Sequence, residues 1–288
     1  MKPTKGERVF GVFNGLILLS LAFICLFPFI NVLARSLSSE TAIIGGNVVL
    51  WPVDIQFEAY TSVFGNAAMR TSFLYTVFVT VLGTCINILL TVLAAYPLSK
   101  NDLVGKKPIW LMILFTMFFS GGIIPLYLVV NGLNLLNTCW ALILPGAIST
   151  YNMIIMKTFF QNIPDSLEES AKLDGCTEIG VLFRIVLPLS MPVIATLSLF
   201  YAVGHWNNFM SALLYINDTT KFTLQLKLRQ LVLQDQLSSM MEGASGASLP
   251  RESLKAASIM YATVPILIVY PWLQKYFVKG VLVGSVKA

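Results

Sequence analysis

One short charged island interrupts a mostly apolar sequence: Glu169-Ser170-Ala171-Lys172-Leu173-Asp174-Gly175, followed after nine further residues by Ile185-Val186-Leu187-Pro188. Pro164 and Asp165 suit the first turn of a helix, where proline needs no N–H and negative charge is favourable. Gly175 can take the left-handed conformation that ends a helix, and a second short helix is expected at about 177–184. This helix–glycine–helix projection is too small for a core of its own, so it either binds a soluble partner or connects two membrane helices.

The composition is that of a membrane protein with several spans. Hydrophobic residues make up 56% of the 288 residues and charged residues only 11%, whereas average globular domains contain about 25% charged residues. Because a spanning helix needs about 20 apolar residues, the charge-free runs predict an all-α polytopic membrane protein with six transmembrane helices. The predicted spans are about 12–34, 71–97, 109–130, 137–156, 185–206 and 256–274.

Lysine and arginine predict the orientation, because they are enriched on the cytoplasmic side of membrane proteins. With both termini in the cytoplasm, twelve of the 19 lysines and arginines lie inside, and so does the charged island. The net charge of +5 is therefore explained by topology. Membrane lipid is the expected surrounding, and no nucleic-acid partner is expected.

The charged island resembles the EAA loop of ABC importer permeases, which reads Glu-Ala-Ala, three residues, Gly, nine residues, Ile, one residue and Leu-Pro. Every spacing fits, and the one departure is Ser170, where the family has its first alanine. Other stretches resemble the carbohydrate branch of the binding-protein-dependent type I importers, the maltose-type and polysaccharide "lipoprotein-type" permeases. These stretches are Phe119–Tyr127, Gly204–Phe209 and Pro271–Lys287.

The resemblance implies the type I ABC importer permease fold and a half-transporter. Its implied partners are a second homologous permease subunit, an ABC ATPase dimer and an extracytoplasmic solute-binding protein that delivers a carbohydrate, expected to be an oligosaccharide. The chain has no Gly-x-x-x-x-Gly-Lys-Ser/Thr loop of the kind that cradles phosphates. We therefore expect a transport subunit of the prokaryotic plasma (inner) membrane that is not an enzyme and has no cofactor of its own, with ATP and Mg bound by the partner subunits.

The resemblance assigns ATPase coupling to a set of residues in the charged island. They are Glu169, Ser170, Ala171, Asp174, Gly175, Leu187 and Pro188. Glu169 is expected to contact the ATPase through hydrogen bonds or an ion pair, with a solvated charge at a helix start as the alternative. Ala171 is small, as a close approach to the ATPase would require. Pro188 is expected to start the fifth span and to set the angle between that span and the charged island. No catalytic residue and no metal site is expected.

A second set of residues is expected near the substrate pathway: Gly121, Gly122, Pro125, Tyr127, Trp206, Asn207 and Asn208. Pro125 can kink the third span, and breaks in membrane helices occur where the backbone lines a cavity or is covered by protein. Close helix packing by small residues is the alternative. The Trp206 indole could stack on a sugar, and the side-chain amides of Asn207 and Asn208 could hydrogen-bond its hydroxyls. The alternative for these residues, and for the neighbouring His205, is a role in a gate or in helix packing.

The expected organisation has three parts. Residues 1–68 hold the N-terminal cytoplasmic end, the first span and the first external segment; 69–275 form the permease core, with five spans and the cytoplasmic coupling loop 164–184; and 276–288 form a cytoplasmic tail. The alternative function is import of a peptide, an amino acid or an anion by the same machine. A membrane enzyme would need paired acids, a histidine cluster or an activated nucleophile inside the bundle, and a channel would leave the charged island unexplained.

Overall fold

The computed structural model describes residues 5–242 and 252–285, and every regular element in these two ranges is helical. The first five α-helices are α1 (Lys5–Ser36), α2 (Glu40–Ile44), α3 (Glu58–Gly65), α4 (Ala67–Ser99) and α5 (Lys106–Phe118). The next five are α6 (Ile123–Gly132), α7 (Trp140–Ile143), α8 (Thr150–Gln161), α9 (Asp165–Leu173) and α10 (Glu178–Val181). The last five are α11 (Leu187–Leu189), α12 (Met191–Trp206), α13 (Met210–Tyr215), α14 (Leu224–Glu242) and α15 (Glu252–Ser285). The prediction of an all-α protein is confirmed.

Membrane spans come in two forms within the described residues. Three helical stretches are long and apolar enough to cross a membrane alone: Phe10–Ser36, Ala67–Ser99 and Glu252–Val269. Two bent pairs qualify only when each is taken as one span, α5 with α6, bent by 114°, and Glu178–Leu189 with α12, bent by 81°. The multi-pass fold is therefore present, while the count of six spans stays a prediction.

The fourth predicted span, 137–156, is not one helix. It is divided into α7, a 3₁₀ turn at Leu144–Gly146 and α8. Pro145 has no N–H to continue a helix, and Ser149 starts α8 anew, because its side chain accepts a hydrogen bond from the N–H of Asn152. The break lets the backbone of 146–149 contact side chains of α4 and α12.

One compact unit consists of the described parts of Met1–Arg70 and Leu228–Val264. Polar contacts that we call the Glu40 clasp join α1 and α2 to the start of α15. The Glu40 carboxylate accepts hydrogen bonds from the N–H groups of Glu252 (2.7 Å) and Ser253 (3.1 Å), and Arg35 pairs with Glu252 at 2.8 Å. Negative charge is favourable at a helix N-terminus, so the clasp stabilises the start of α15.

The other compact unit consists of Thr71–Lys227 and the described part of Pro265–Ala288. Its main apolar cluster packs α4, α8, α9 and α12 together, with these buried members among others: Val92, Tyr96, Met156, Phe160, Ala171, Val181, Val186 and Leu197. The charged island is thus packed on the chain's own membrane helices. The predicted division into 1–68, 69–275 and 276–288 remains a prediction; α15 runs through position 276, and 286–288 lie outside the described residues.

Candidate functional site

The first half of the charged island folds by local rules. α9 starts after Pro164, with Asp165 and Glu168 in its first turn, where the helix dipole favours acids. It ends in a Schellman motif, in which the N–H of Cys176 bonds the carbonyl of Ala171 (2.9 Å) and the N–H of Gly175 bonds that of Lys172 (3.0 Å). Gly175 has φ +83°, the left-handed conformation that the sequence predicted.

The second half is a rod from Glu178 to Leu189. Thr177 caps it, because its hydroxyl accepts a hydrogen bond from the N–H of Gly180 at 3.2 Å. A π-helical turn, Leu182–Val186, precedes Pro188, and this wide turn lets the rod include a residue that cannot donate to the preceding turn. We call Pro164–Leu189 the hook.

The hook joins α12 by the 81° bend at Ser190, which corrects one expectation. The fifth span was expected to begin at 185 with Pro188 at its start, but Pro188 lies inside the rod, and α12 begins only at Met191, after the bend. The reason is Pro192, which has no N–H for the carbonyl of Pro188 four residues earlier and whose ring would clash with it. Pro192 is accepted only in the first turn of a new helix, so the chain must bend before it.

Two ion pairs hold the hook, and sequence reasoning missed both as contacts. Glu168 pairs with Lys100 at the end of α4, and the Lys100 ammonium lies 4.6 Å from the centre of the Tyr96 ring, which is a favourable cation–π arrangement. Glu178 pairs with Lys172 at 2.6 Å, and this hydrogen bond raises the pKa of Lys172. The first pair is mostly buried and anchors the hook on the membrane helices, whereas the second is solvent-exposed.

The expected coupling residues fall into two groups. Glu169, Ser170, Asp174, Gly175 and Pro188 are exposed. Leu187 is half-buried, and Ala171 is buried in the chain's own apolar cluster, so its small size allows α9 to approach the chain's own helices.

Apolar side chains also project from the hook. Leu173 is 89% exposed and Ile179 is 71% exposed. The exposed hook surface therefore has large apolar side chains with carboxylates around them, an arrangement compatible with an interface that has an apolar centre and a polar rim.

The third predicted span breaks at Phe119–Gly122, between α5 and α6. Gly122 has φ +86°, a conformation that side chains other than glycine rarely adopt. The predicted bend is present, but Pro125 does not cause it, because Pro125 is the third residue of α6, where its missing N–H costs nothing. Phe119 through Leu126 are all exposed, so this broken backbone is not covered by the described residues.

The remaining pathway candidates are mostly engaged in packing. Tyr127 stacks on Tyr215, with ring centres 6.2 Å apart. Trp206 is buried and packs edge-on against Phe73, with ring centres 5.9 Å apart. Asn208 caps α13 by accepting from the N–H of Ser211 at 3.1 Å, and Asn207 is exposed at the end of α12. Asn207, Gly121, Gly122 and Pro125 are therefore the exposed members of this set.

Comparison with known proteins agrees with this architecture. Residues 108–283 match the family model described as "Binding-protein-dependent transport system inner membrane component". The polygalacturonan/rhamnogalacturonan transport system permease protein YtcP of Bacillus subtilis is 49% identical, over 98% of this chain and 99% of that protein. Protein LplC of the same organism is 48% identical, over 100% of this chain and 98% of that protein.

Solved structures show the same fold. A chain from the crystal structure of a bacterial ABC transporter involved in import of the acidic polysaccharide alginate has a TM-score of 0.88 and 32% identity, covering 96% of this chain and 99% of that chain. A chain from a bacterial alginate ABC transporter in complex with a pentasaccharide-bound periplasmic protein has a TM-score of 0.64 at 15% identity, covering 93% of each chain, and supports the fold alone. With its hook, its bent spans and these matches, the chain belongs to the family of binding-protein-dependent transport system inner membrane components.

Proposed function

We propose that this chain is one of two permease subunits in an ATP-driven importer of oligosaccharides, and that its hook receives the movement of an ATPase. The chain is a carbohydrate permease of the ABC importer class and not an enzyme. The observation that carries the proposal is the hook itself, an exposed helix–glycine–helix projection joined to a membrane span by one bend. A push on the hook reaches α12 directly.

The exposed hook surface supports binding of an ATPase. Leu173 and Ile179 offer apolar area, and Glu169, in the middle of α9, and Asp174, at its C-terminal end, offer carboxylates. Burial of such apolar side chains is worth about 25 cal/mol per Å² removed from water, while the carboxylates specify a basic partner surface. In this proposal Glu169, Ser170, Asp174 and Gly175 contact or shape the docking surface, and Ala171, Leu187 and Pro188 position it.

The break at Phe119–Gly122 supports a second permease subunit. In lipid, irregular backbone is tolerated only where it is covered by protein or lines a water-filled cavity. Here the broken segment is exposed on the isolated chain, so in the membrane a homologous partner or the pathway must cover it. We place Gly121, Gly122 and Pro125 at the boundary between the pathway and that partner, with Tyr127 supporting the turn and with Asn207, Asn208 and Trp206 at the far end of α12.

The substrate class follows from the relatives. Their names specify polygalacturonan, rhamnogalacturonan and arabinooligosaccharides, and a non-sugar solute finds no support among them. The solute is delivered by an extracytoplasmic binding protein, and ATP with Mg is bound by the ATPase subunits.

Uptake by the assembled complex tests this function. The chain, tagged and purified from its native membrane with its bound subunits, is reconstituted in vesicles with the binding protein. We expect ATP-dependent uptake of labelled trigalacturonate or, if the importer prefers neutral chains, of arabinotriose, and no uptake by the chain alone. Uptake by the single chain without an ATPase would contradict the proposal.

We propose that both termini and the hook are cytoplasmic, in a prokaryotic plasma membrane, and cysteine labelling tests this. In a variant without the four native cysteines, Trp51→Cys, at a position that is 81% exposed, should react with a membrane-impermeant thiol reagent added to intact cells. Ser170→Cys, at an exposed hook position, should react only after the cells are opened. Labelling of Ser170→Cys in intact cells would reverse the orientation.

A further inference from the structure

The only histidine in the chain lies in a buried polar contact between two membrane helices. His205 of α12 and Asn87 of α4 are both buried, and the Asn87 side-chain amide donates to His205 Nε2 at 3.1 Å. Gly83 makes this approach possible, because a Cβ at that position would lie 2.5 Å from Nε2. The imidazole therefore lies directly against the backbone of α4.

A second hydrogen bond joins the same helices one turn away. The hydroxyls of Thr91 and Tyr201 are 2.8 Å apart, and both residues are buried. Four residues separate the two positions on each helix, about 6 Å along the axis, and the order is reversed, as antiparallel helices require. We call these two contacts the α4–α12 ladder.

The ladder also binds the broken segment before α8. The Tyr201 hydroxyl accepts from the N–H of Ser149 at 3.0 Å, and the Asn87 amide lies 3.5 Å from the carbonyl of Gly146. Three separate parts of the membrane core are therefore connected through four side chains. One of these parts, α12, is the continuation of the hook.

We propose that Asn87, Thr91, Tyr201 and His205 are positioning residues for transport: the ladder is where movement of the hook passes from α12 to α4 and to the 146–149 segment. This inference rests on the proposed function. The rod and α12 meet at the bend at Ser190, so a force on the hook moves α12 along or around its own axis. Without hydrogen bonds to α4, α12 can slide over the apolar surface of its neighbour and dissipate that movement.

One polar atom of the ladder is left unpaired in this arrangement. Asn87 Oδ1 is buried and has no hydrogen-bond partner among the described residues. An unpaired buried acceptor is unfavourable, so a rearrangement that pairs Oδ1 would remove this cost. In our proposal the ladder changes between two arrangements during alternating access, and Oδ1 is paired in the second.

The test measures transported sugar per ATP hydrolysed, in the complete complex in vesicles, with trigalacturonate as probe or arabinotriose if only that probe is taken up. The Asn87→Leu/His205→Leu variant removes both partners of one rung, and replacing both by apolar groups of similar shape is nearly neutral for stability. We expect a thermal midpoint close to that of the unsubstituted complex and a sugar-to-ATP ratio at least about fivefold lower. His205→Gln, whose side-chain oxygen can accept from Asn87, should keep the ratio within about twofold.

Thr76→Val is the matched control, because Thr76 of α4 is equally buried and accepts from the N–H of Leu224 at 2.8 Å, outside the ladder. We expect it to lower stability and leave the ratio unchanged. An unchanged ratio in the double leucine variant, or an equal fall in Thr76→Val, overturns the proposal.

If the double leucine variant does not assemble, Thr91→Val/Tyr201→Phe is measured instead, and an unchanged ratio in that variant also overturns the proposal. Failure of the unsubstituted complex to transport would contradict the proposed function, not the ladder.

Discussion

We expect Gly175→Val to lower ATP-driven uptake about tenfold, because a β-branched residue in the left-handed conformation costs about 1–2 kcal/mol and 1.4 kcal/mol is a tenfold change in population. A Cβ at Gly175 would meet nothing within 4 Å, so the cost lies in the backbone and not in a clash. The hook should leave its Schellman ending, while the spans insert as before. The measurements are uptake by the complex in vesicles and the amount of chain in the membrane.

Gly175→Asn is the matched control for this variant. Asparagine tolerates the left-handed conformation far better than valine does, and its side chain is of similar size. We expect it to retain most of the uptake. Equal loss in the two variants would mean that the surface of the hook at this position, and not its backbone conformation, matters for transport.

Glu168→Gln should destabilise the chain by on the order of 2–4 kcal/mol, because it leaves the ammonium of Lys100 without its partner in a mostly buried place. The side chains of Lys100 and Glu168 are only 24% and 10% exposed. The hook should loosen from α4, and the ATPase should bind less tightly. Thermal unfolding of the purified complex and co-purification of the ATPase measure the two effects.

The exposed pair on the same hook is the control for Glu168→Gln. Lys172 and Glu178 are 44% and 61% exposed, and exposed ion pairs contribute about 0–1 kcal/mol. Glu178→Gln should therefore have a small effect. A loss of stability no greater in Glu168→Gln than in Glu178→Gln would show that Lys100 does not anchor the hook.

The hook was predictable from sequence because its conformation depends on neighbouring residues. Proline before a helix, acids in its first turn and glycine at its end act within a few positions of one another, and Pro164 and Gly175 lie where these rules place them. The start of α12 was not predicted, although it too is local. Pro188 and Pro192 are four residues apart, and either could begin a helix; the structure begins it at Met191, before Pro192.

Contacts between distant residues were beyond the reach of sequence reasoning. Asn87 and His205 are 118 residues apart, and Lys100 and Glu168 are 68 apart. Each looked unremarkable in its own segment, and the only local signal was a lone histidine in an apolar run. Ala171 shows the same limit, because its small side chain suits an approach by the ATPase or by the chain's own helices, and the structure shows the second.

The Glu40 clasp has a consequence for biogenesis. It joins residues that are 212 and 213 positions apart, and the accompanying Arg35–Glu252 pair spans 217 positions. A ribosome must therefore complete most of the polypeptide before Glu40 can meet its partners. Until then the Glu40 carboxylate and the Arg35 guanidinium are without these partners. A nascent chain released before position 252 cannot form the clasp. The clasp can therefore form only in a chain that extends at least to Ser253, and only such a chain has the start of α15 stabilised in this way.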